Sequence, residues 1–250
     1  MTRLGPTAPH GAATPTLQLL CAGAAQGLVE ALQAEFQQAS GAAIQARFGA
    51  VGAMQEALAA GQACDVMIVT AAMVDALCAS GGLRADARAD LGAVRTGVAV
   101  RAGEHRDEAV PDVSTPAALK AALVAARRNY FPDPLRATAG IHFAAVMRKL
   151  GVFESLQSRF STHPNGAAAM RELAASSAPQ QLGCTQVSEI LITPGVRLAG
   201  PLPKAFELAT LYTAAVGTQA QQPQLAERLV ALLASPATRA LRARRGFELN

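Results

Sequence analysis

Three short apolar segments alternate with helical patterns along residues 17–79. The segments at residues 17–21, 44–48 and 65–69 have the length and apolar content of strands. The third segment, DVMIV, is almost continuously apolar, which is typical of a strand that is covered on both faces. Because parallel strands are joined by helical crossovers, this alternation predicts an α/β fold built on a parallel sheet with right-handed connections.

A second block of strands and helices lies between two long apolar segments. Residues 93–101 predict a strand that leaves the first block, and residues 206–216 predict a strand that returns to it. Two such crossings predict two lobes, each a mainly parallel sheet flanked by helices, with a two-strand hinge. Ligands of α/β proteins bind at the carboxyl ends of strands, so we expect the site in the cleft between the lobes. The assigned boundaries are a flexible arm at 1–16, one lobe at 17–97 plus 214–250, and the other at 98–213.

The stretch at residues 130–143, YFPDPLRATAGIHF, joins a strand of the second block to a helix. Pro132 ends the strand, because proline fixes φ and lacks an N–H group. Arg136, Thr138 and Gly140 stand at the start of the helix, where free N–H groups and the positive end of the helix dipole attract anions. The stretch is therefore a candidate anion site, and an ordinary strand–helix turn with a surface arginine is the alternative.

Composition and motifs exclude several other functions. The chain of 250 residues has a net charge of +4, but its basic residues are mostly scattered and its aromatic residues are few, so we expect no nucleic-acid partner. No apolar run reaches the roughly 18 residues of a membrane span. Phosphate-loop, nucleophile-elbow, dinucleotide and zinc-protease motifs are absent from the sequence, and we expect no metal and no cofactor. The sequence as written has no signal peptide and predicts a cytoplasmic protein, whereas a missing leader would make the protein periplasmic.

Several segments, in order along the chain, resemble one family. They are CAGAAQGL (21–28), AGQACDVMIV (60–69), YFPDP and GIHFAAVMRKLGVF (130–153), LGCTQVSEIL followed by GPLP (182–203), and the tail LVALLASPATRALRARRGFEL (229–249). Through them the chain resembles type II periplasmic solute-binding proteins of the molybdate-binding family over about residues 17–250. The resemblance implies a two-lobed fold, a small anionic ligand, a monomer and, for an exported protein, an ABC permease as partner.

The sequence departs from this family where the ligand is expected. The family's molybdate binders present serines after the first two strands, and the matching positions here are Ala24 and Val51-Gly52. Backbone N–H groups would then replace the hydroxyls, and an arginine would grip a planar carboxylate in a bidentate way. We therefore expect a small carboxylate or oxyanion. The predicted ligand-binding positions are Gly23, Ala24, Gly52, Ala53, Thr70, Arg136, Thr138, Gly140, Gln186, Ser188 and Tyr212.

Some proteins that resemble this family are aconitate isomerases, which move a proton between carbons that flank carboxylates. Such an enzyme needs a base within reach of an acidic C–H group. His142 and Glu189 are the candidates, and Tyr212 is a further available side chain. Each has a structural alternative, because His142 can satisfy a carbonyl and Glu189 can be a carboxylate at a helix start. The alternative function is therefore a cofactor-free isomerase that acts on a small unsaturated di- or tricarboxylate.

Overall fold

The computed structural model describes residues 14–103 and 110–249, and in this part of the chain strands alternate with helices. The strands are β1 (Thr16–Ala22), β2 (Ala43–Gly49), β3 (Val66–Thr70), β4 (Leu83–Arg101), β5 (Arg128–Pro132), β6 (Phe160–His163), β7 (Gln181–Gln186), β8 (Val196–Pro201) and β9 (Ala209–Gly217). The α-helices are α1 (Gln26–Ser40), α2 (Val51–Ala59), α3 (Ala71–Ala79), α4 (Pro116–Ala125), α5 (Thr138–Lys149), α6 (Phe153–Leu156), α7 (Gly166–Ala175), α8 (Val187–Ile192), α9 (Pro223–Ala234) and α10 (Arg239–Arg244). The arm predicted at residues 1–16 lies mostly outside the described residues.

The first sheet is the centre of the first lobe. Strands β2, β1 and β3 are parallel neighbours, and β9 and the first part of β4 continue the sheet in antiparallel pairing. Residues 66–69 of β3 are fully buried, as expected for a strand covered on both faces. Helices α1, α2, α3 and α9 pack on this sheet and enclose an apolar core formed by parts of residues 17–94 and 212–247.

The second sheet has its own core. Strands β6, β5 and β7 are parallel neighbours, β7 pairs antiparallel with the second part of β4, and β8 pairs with the same part of β4. Phe131 of β5 packs edge to face against Phe143 of α5 and Phe160 of β6, with ring centroids 5.4 and 5.1 Å apart. These contacts hold α5 against the sheet, which places the start of that helix at the cleft.

The two sheets are joined where β4 passes from one to the other. Arg95 pairs with β9 in the first sheet, and the next residue, Thr96, pairs with β7 in the second. The chain returns beside this crossing, since the N–H of Leu202 donates to the carbonyl of Thr96 and the N–H of Thr96 donates to the carbonyl of Leu208. The predicted two-lobed α/β architecture is thus present, while the residue boundaries assigned to the lobes stay a prediction.

Two local features of the structure affect the cleft or its hinge. Strand β4 begins at Leu83 instead of residue 93, because residues 83–92 form a half-exposed antiparallel strand on β9. Residues 187–189 begin the short helix α8, so Glu189 lies in a first helical turn, which is the structural alternative given for it above. This helix start turns the side chain of Glu189 towards the space between the lobes.

Candidate functional site

A small cavity lies between the two sheets, where the parallel strands of both lobes end. Its volume is about 20 Å³, so little space separates the two lobes here. The first lobe lines it with residues 22–24 and 49–51 and with Tyr212 of β9. The second lobe lines it with Pro132, residues 137–139 and 165–166, Gln186 and Glu189.

Helix starts from both lobes meet at this cavity. A 3₁₀ turn, Gly23–Ala25, leads into α1, and α2 and α5 begin at Val51 and Thr138. The N-cap positions of these three segments are alanines, Ala22, Ala50 and Ala137, and none of them makes a side-chain cap hydrogen bond. An alanine side chain cannot accept from the first N–H groups of a helix, so no N-cap side chain satisfies these groups. One of them is engaged otherwise, since the N–H of Gly52 in α2 donates to the carbonyl of Arg136. The dipoles of the three segments make the cavity favourable for negative charge.

Glu189 is the acidic side chain of the cavity wall, and it is almost fully buried, with 4% of its surface exposed. The hydroxyl of Thr185 donates to its Oε2 at 2.5 Å. Backbone N–H groups of Gly166, Ala167 and Gln186 also hydrogen-bond to the carboxyl. Burial is the larger influence and raises the pKa of Glu189, whereas these hydrogen bonds act in the opposite direction.

Two glycines make room for this carboxyl group. A Cβ atom on Gly23 of the first lobe would overlap Oε1 of Glu189. A Cβ atom on Gly166, at the start of α7, would overlap both Oε2 of Glu189 and the hydroxyl of Thr185. The carboxyl therefore fills the space between the first lobe and α7, and it has little freedom to swing away.

Tyr212 and Gln186 connect the lobes behind Glu189. In the orientation of the Gln186 amide that satisfies its neighbours, the nitrogen donates to the carbonyls of Val94 and Arg95, at 3.1 and 3.2 Å. The amide oxygen then accepts from the Tyr212 hydroxyl at 3.2 Å. Burial raises the pKa of Tyr212, and the nearby Glu189 carboxylate raises it further, so the phenol stays protonated.

Arg136 lies at the rim of the cleft and does not line the cavity. Its Nη2 contacts both carboxylate oxygens of Glu56 on α2, at 2.6 and 2.8 Å, and both side chains are more than half exposed. The N–H of Gly52 also donates to the carbonyl of Arg136 at 3.3 Å. The guanidinium group predicted to hold the anion is thus engaged by a carboxylate of the opposite lobe.

Other predicted site residues also lie outside the cavity lining. His142 has its Nε2 2.7 Å from the carbonyl of Phe206, which is its structural alternative. Thr70 caps α3 by accepting from the N–H of Met73. Gly140 packs against the carbonyls of the preceding loop, where a Cβ atom would not fit.

Three further predicted positions surround the lining without belonging to it. Ser188 is buried, and its hydroxyl has no hydrogen-bond partner among the described residues. Gly52 and Ala53 follow Val51 in the first turn of α2, behind the lining.

Sequence reasoning named neither Asn165 nor Gly166 as a site residue. Asn165 caps α7 by accepting from the N–H of Ala168 at 2.8 Å, and Gly166 is the first residue of that helix. Asn165 and Gly166 both line the cavity. An asparagine directly before an apolar-periodic run was the signal that could have indicated these two positions.

The two sheets and the cavity between them define a two-lobed α/β protein. Residues 17–248 match the family described as bacterial extracellular solute-binding proteins, and the chain belongs to this family. No helix among the described residues is both long enough and apolar enough to cross a membrane. The family description is extracellular, so it does not support the cytoplasmic interpretation of the sequence.

Individual relatives extend this result. An aconitate isomerase from Pseudomonas sp. is 28% identical over 229 residues, which cover 88% of this chain and 82% of that protein. The periplasmic molybdate-binding protein of Azotobacter vinelandii has a TM-score of 0.76 at 18% identity, covering 94% of this chain and 99% of that one. The sulfate-binding protein SubI of Mycobacterium tuberculosis H37Rv has a TM-score of 0.71 at 14% identity, covering 93% and 86%. The two structural likenesses confirm the predicted fold.

Proposed function

We propose that this protein is a solute-binding protein that captures a small anion in the cleft between its lobes. The observation that carries the proposal is the meeting of three helix starts with alanine caps, contributed by both lobes, at one cavity. Among the described residues, no lysine, arginine or histidine lines this cavity. The charge of a bound anion would therefore be compensated by N–H groups and helix dipoles.

The ligand that best fits these donors is a small carboxylate or oxyanion. Fixed N–H groups suit either class, and the Thr138 hydroxyl at the start of α5 adds a side-chain donor from the second lobe. Ala24 and Val51 offer no hydroxyl, which weakens the case for a tetrahedral oxyanion held by a serine cage. The Pseudomonas relative named as an aconitate isomerase supports the carboxylate. We therefore favour a small di- or tricarboxylate.

Membership in a family of extracellular binding proteins supports a role in uptake. In that role the protein acts outside the cytoplasm as a monomer and delivers its ligand to an ABC permease. Closure of the two lobes would follow ligand binding, because the ligand binds the closed state more tightly than the open one.

A thermal-shift and calorimetry panel tests the capture of an anion. The panel contains molybdate, tungstate, sulfate, citrate and both aconitate isomers, and a ligand of the native state raises the melting temperature. We expect the largest shift with a tricarboxylate. Thr138→Val should weaken that binding by roughly five- to tenfold, the loss of one hydrogen bond. Thr162→Val, the same change at the exposed position of strand β6, is the matched control and should leave the affinity unchanged. The proposal fails if no anion of the panel shifts the melting temperature.

A second candidate function is supported by the buried carboxyl of Glu189 beside Tyr212. As an isomerase, the Glu189 carboxylate would take a proton from a C–H group next to the double bond. The electron pair left behind would shift that double bond, and the new carboxylic acid would return the proton to the other end of the allyl system. Nothing is oxidised or reduced, and no cofactor is consumed.

Proton NMR of cis- or trans-aconitate with the protein in D₂O separates the two functions. Turnover would convert one isomer into the other, deuterium would enter wherever protonated Glu189 exchanges with solvent before it returns the proton, and Glu189→Gln would stop the conversion. If aconitate binds but its spectrum does not change with time, the protein binds aconitate without converting it.

A further inference from the structure

The negative charge of Glu189 conflicts with the capture of an anion in the same cavity. Its carboxyl lines the cavity, whose other walls present helix starts that favour negative charge. An ionised carboxylate at this place repels a second anion strongly, because burial leaves little water to screen the two charges. The side chain cannot leave, since Gly23 and Gly166 enclose it and Thr185 holds its Oε2.

A proton between the two groups removes this conflict. We propose, on the basis of the anion capture proposed above, that the anion and one proton bind together. The proton lies between a Glu189 carboxyl oxygen and a ligand oxygen. The site therefore prefers an anion that brings a proton, such as a hydrogen carboxylate, or one that accepts a hydrogen bond from protonated Glu189. Two like-charged oxygens become a donor and an acceptor, and a charge-assisted hydrogen bond of this kind is strong in a buried site.

The surroundings of Glu189 leave it as the group that takes up this proton. Burial raises its pKa, and a bound anion raises that pKa further. Tyr212 of β9 faces it and Cys21 of β1 lies behind Tyr212, and burial raises the pKa of both, so they stay neutral. His163, at the end of β6, hydrogen-bonds to Ser161, and burial lowers its pKa, so it is neutral near pH 7.

The sign of the pH dependence follows from this linkage. Above the pKa of unliganded Glu189, binding requires proton uptake, so the affinity rises as the pH falls. The gain is about tenfold for each pH unit between the unliganded and the liganded pKa of Glu189. Below both pKa values, the affinity becomes independent of pH.

Calorimetry counts the protons that are taken up when an anion binds. The probes are sulfate and trans-aconitate, and each is measured between about pH 5 and pH 8 in two buffers of different ionisation enthalpy. Sulfate is a useful probe because it stays fully ionised in this range. We expect about one proton per anion in the wild type at the upper end of the range. We expect none in Glu189→Gln, which should bind at that pH at least about tenfold more tightly than the wild type. Glu35→Gln, on the exposed face of α1, is the matched control and should behave like the wild type.

A second variant covers the case in which Glu189→Gln does not fold. Thr185→Val removes a hydrogen bond that lowers the pKa of Glu189, so the pH range of proton uptake should move upward. Binding without proton uptake in the wild type, and with the same pH profile in both variants, would overturn the inference while leaving anion capture intact. The absence of binding to either probe in every protein and at every pH would instead refute the capture, and the inference with it.

Discussion

The first-lobe loops that line the cavity contain only alanine, glycine and valine, whereas the second lobe presents four polar side chains. Residues 22–24 and 49–51 therefore offer an anion nothing except backbone N–H groups. The second lobe adds Thr138, Asn165, Gln186 and Glu189. Backbone N–H dipoles attract any anion of suitable size, because they do not distinguish one kind of anion from another. Discrimination between anions must then come from the second lobe and from Tyr212, the polar side chain that β9 adds to the first-lobe wall.

The contrast also separates two tasks in the proposed mechanism. The first lobe supplies an attractive surface that costs no side-chain ordering, because its donors belong to helices already fixed by the core. The second lobe supplies a carboxyl that opposes an anion unless a proton is present. A carboxyl of this kind gives specificity by weakening the binding of the wrong anions, not by strengthening the binding of the right one.

The largest effect is expected from Gly166→Ala, which disturbs the second-lobe wall directly. The new methyl group would overlap the Glu189 carboxyl and the Thr185 hydroxyl. We expect a loss of about 1–3 kcal/mol in the free energy of unfolding, as for other overpacked sites, and a loss of anion affinity of more than tenfold. Chemical denaturation and calorimetry measure the two quantities. Gly82→Ala is the control, because its Cβ would meet only ordinary contacts. Wild-type affinity in Gly166→Ala would mean that the position of Glu189 is unimportant.

A smaller effect is expected from Ala24→Ser, which gives the first-lobe wall a side-chain donor. One added hydrogen bond contributes about 0.5–1.5 kcal/mol, so the affinity for a tetrahedral oxyanion should rise by up to roughly tenfold. The affinity for tricarboxylates should change less, and the ratio of the molybdate and citrate dissociation constants measures this shift. If the affinities for molybdate and citrate changed equally, the absence of hydroxyls from the first-lobe loops would not explain why these loops fail to distinguish anions.

Sequence patterns predicted the fold and part of the cavity for identifiable reasons. The alternation of β1–β3 with α1–α3 specified the first lobe, because both periodicities are visible over short windows. Six of the predicted positions line the cavity, because strand ends and helix starts have local signals: Gly23, Ala24, Thr138, Gln186, Glu189 and Tyr212. Their roles in binding stay predictions.

Other features depend on contacts that no local pattern carries. Helix α8 has six residues and no side-chain cap, so its start is marked locally by Glu189 in its first turn and by little else. The partner of Arg136 lies 80 residues away in the other lobe. Sequence reasoning identified an arginine near a helix start, but the choice between a ligand and a carboxylate across the cleft depends on how the lobes meet.

The smallest effect is expected from Arg136→Ala. An exposed ion pair contributes about 0–1 kcal/mol, so the loss of the contact with Glu56 should weaken anion binding less than about fivefold, mainly by favouring the open state. Glu56→Gln should have the same effect, and the double variant should add little, because both single changes remove one interaction. Arg88→Ala, which breaks an ion pair with Asp75 inside the first lobe, is the control. A loss of more than a hundredfold in Arg136→Ala alone, with Glu56→Gln unaffected, would mean that the arginine leaves Glu56 to bind the anion. The second-lobe wall of the cavity would then include a cationic side chain, and the two walls would differ in charge as well as in hydrogen bonding.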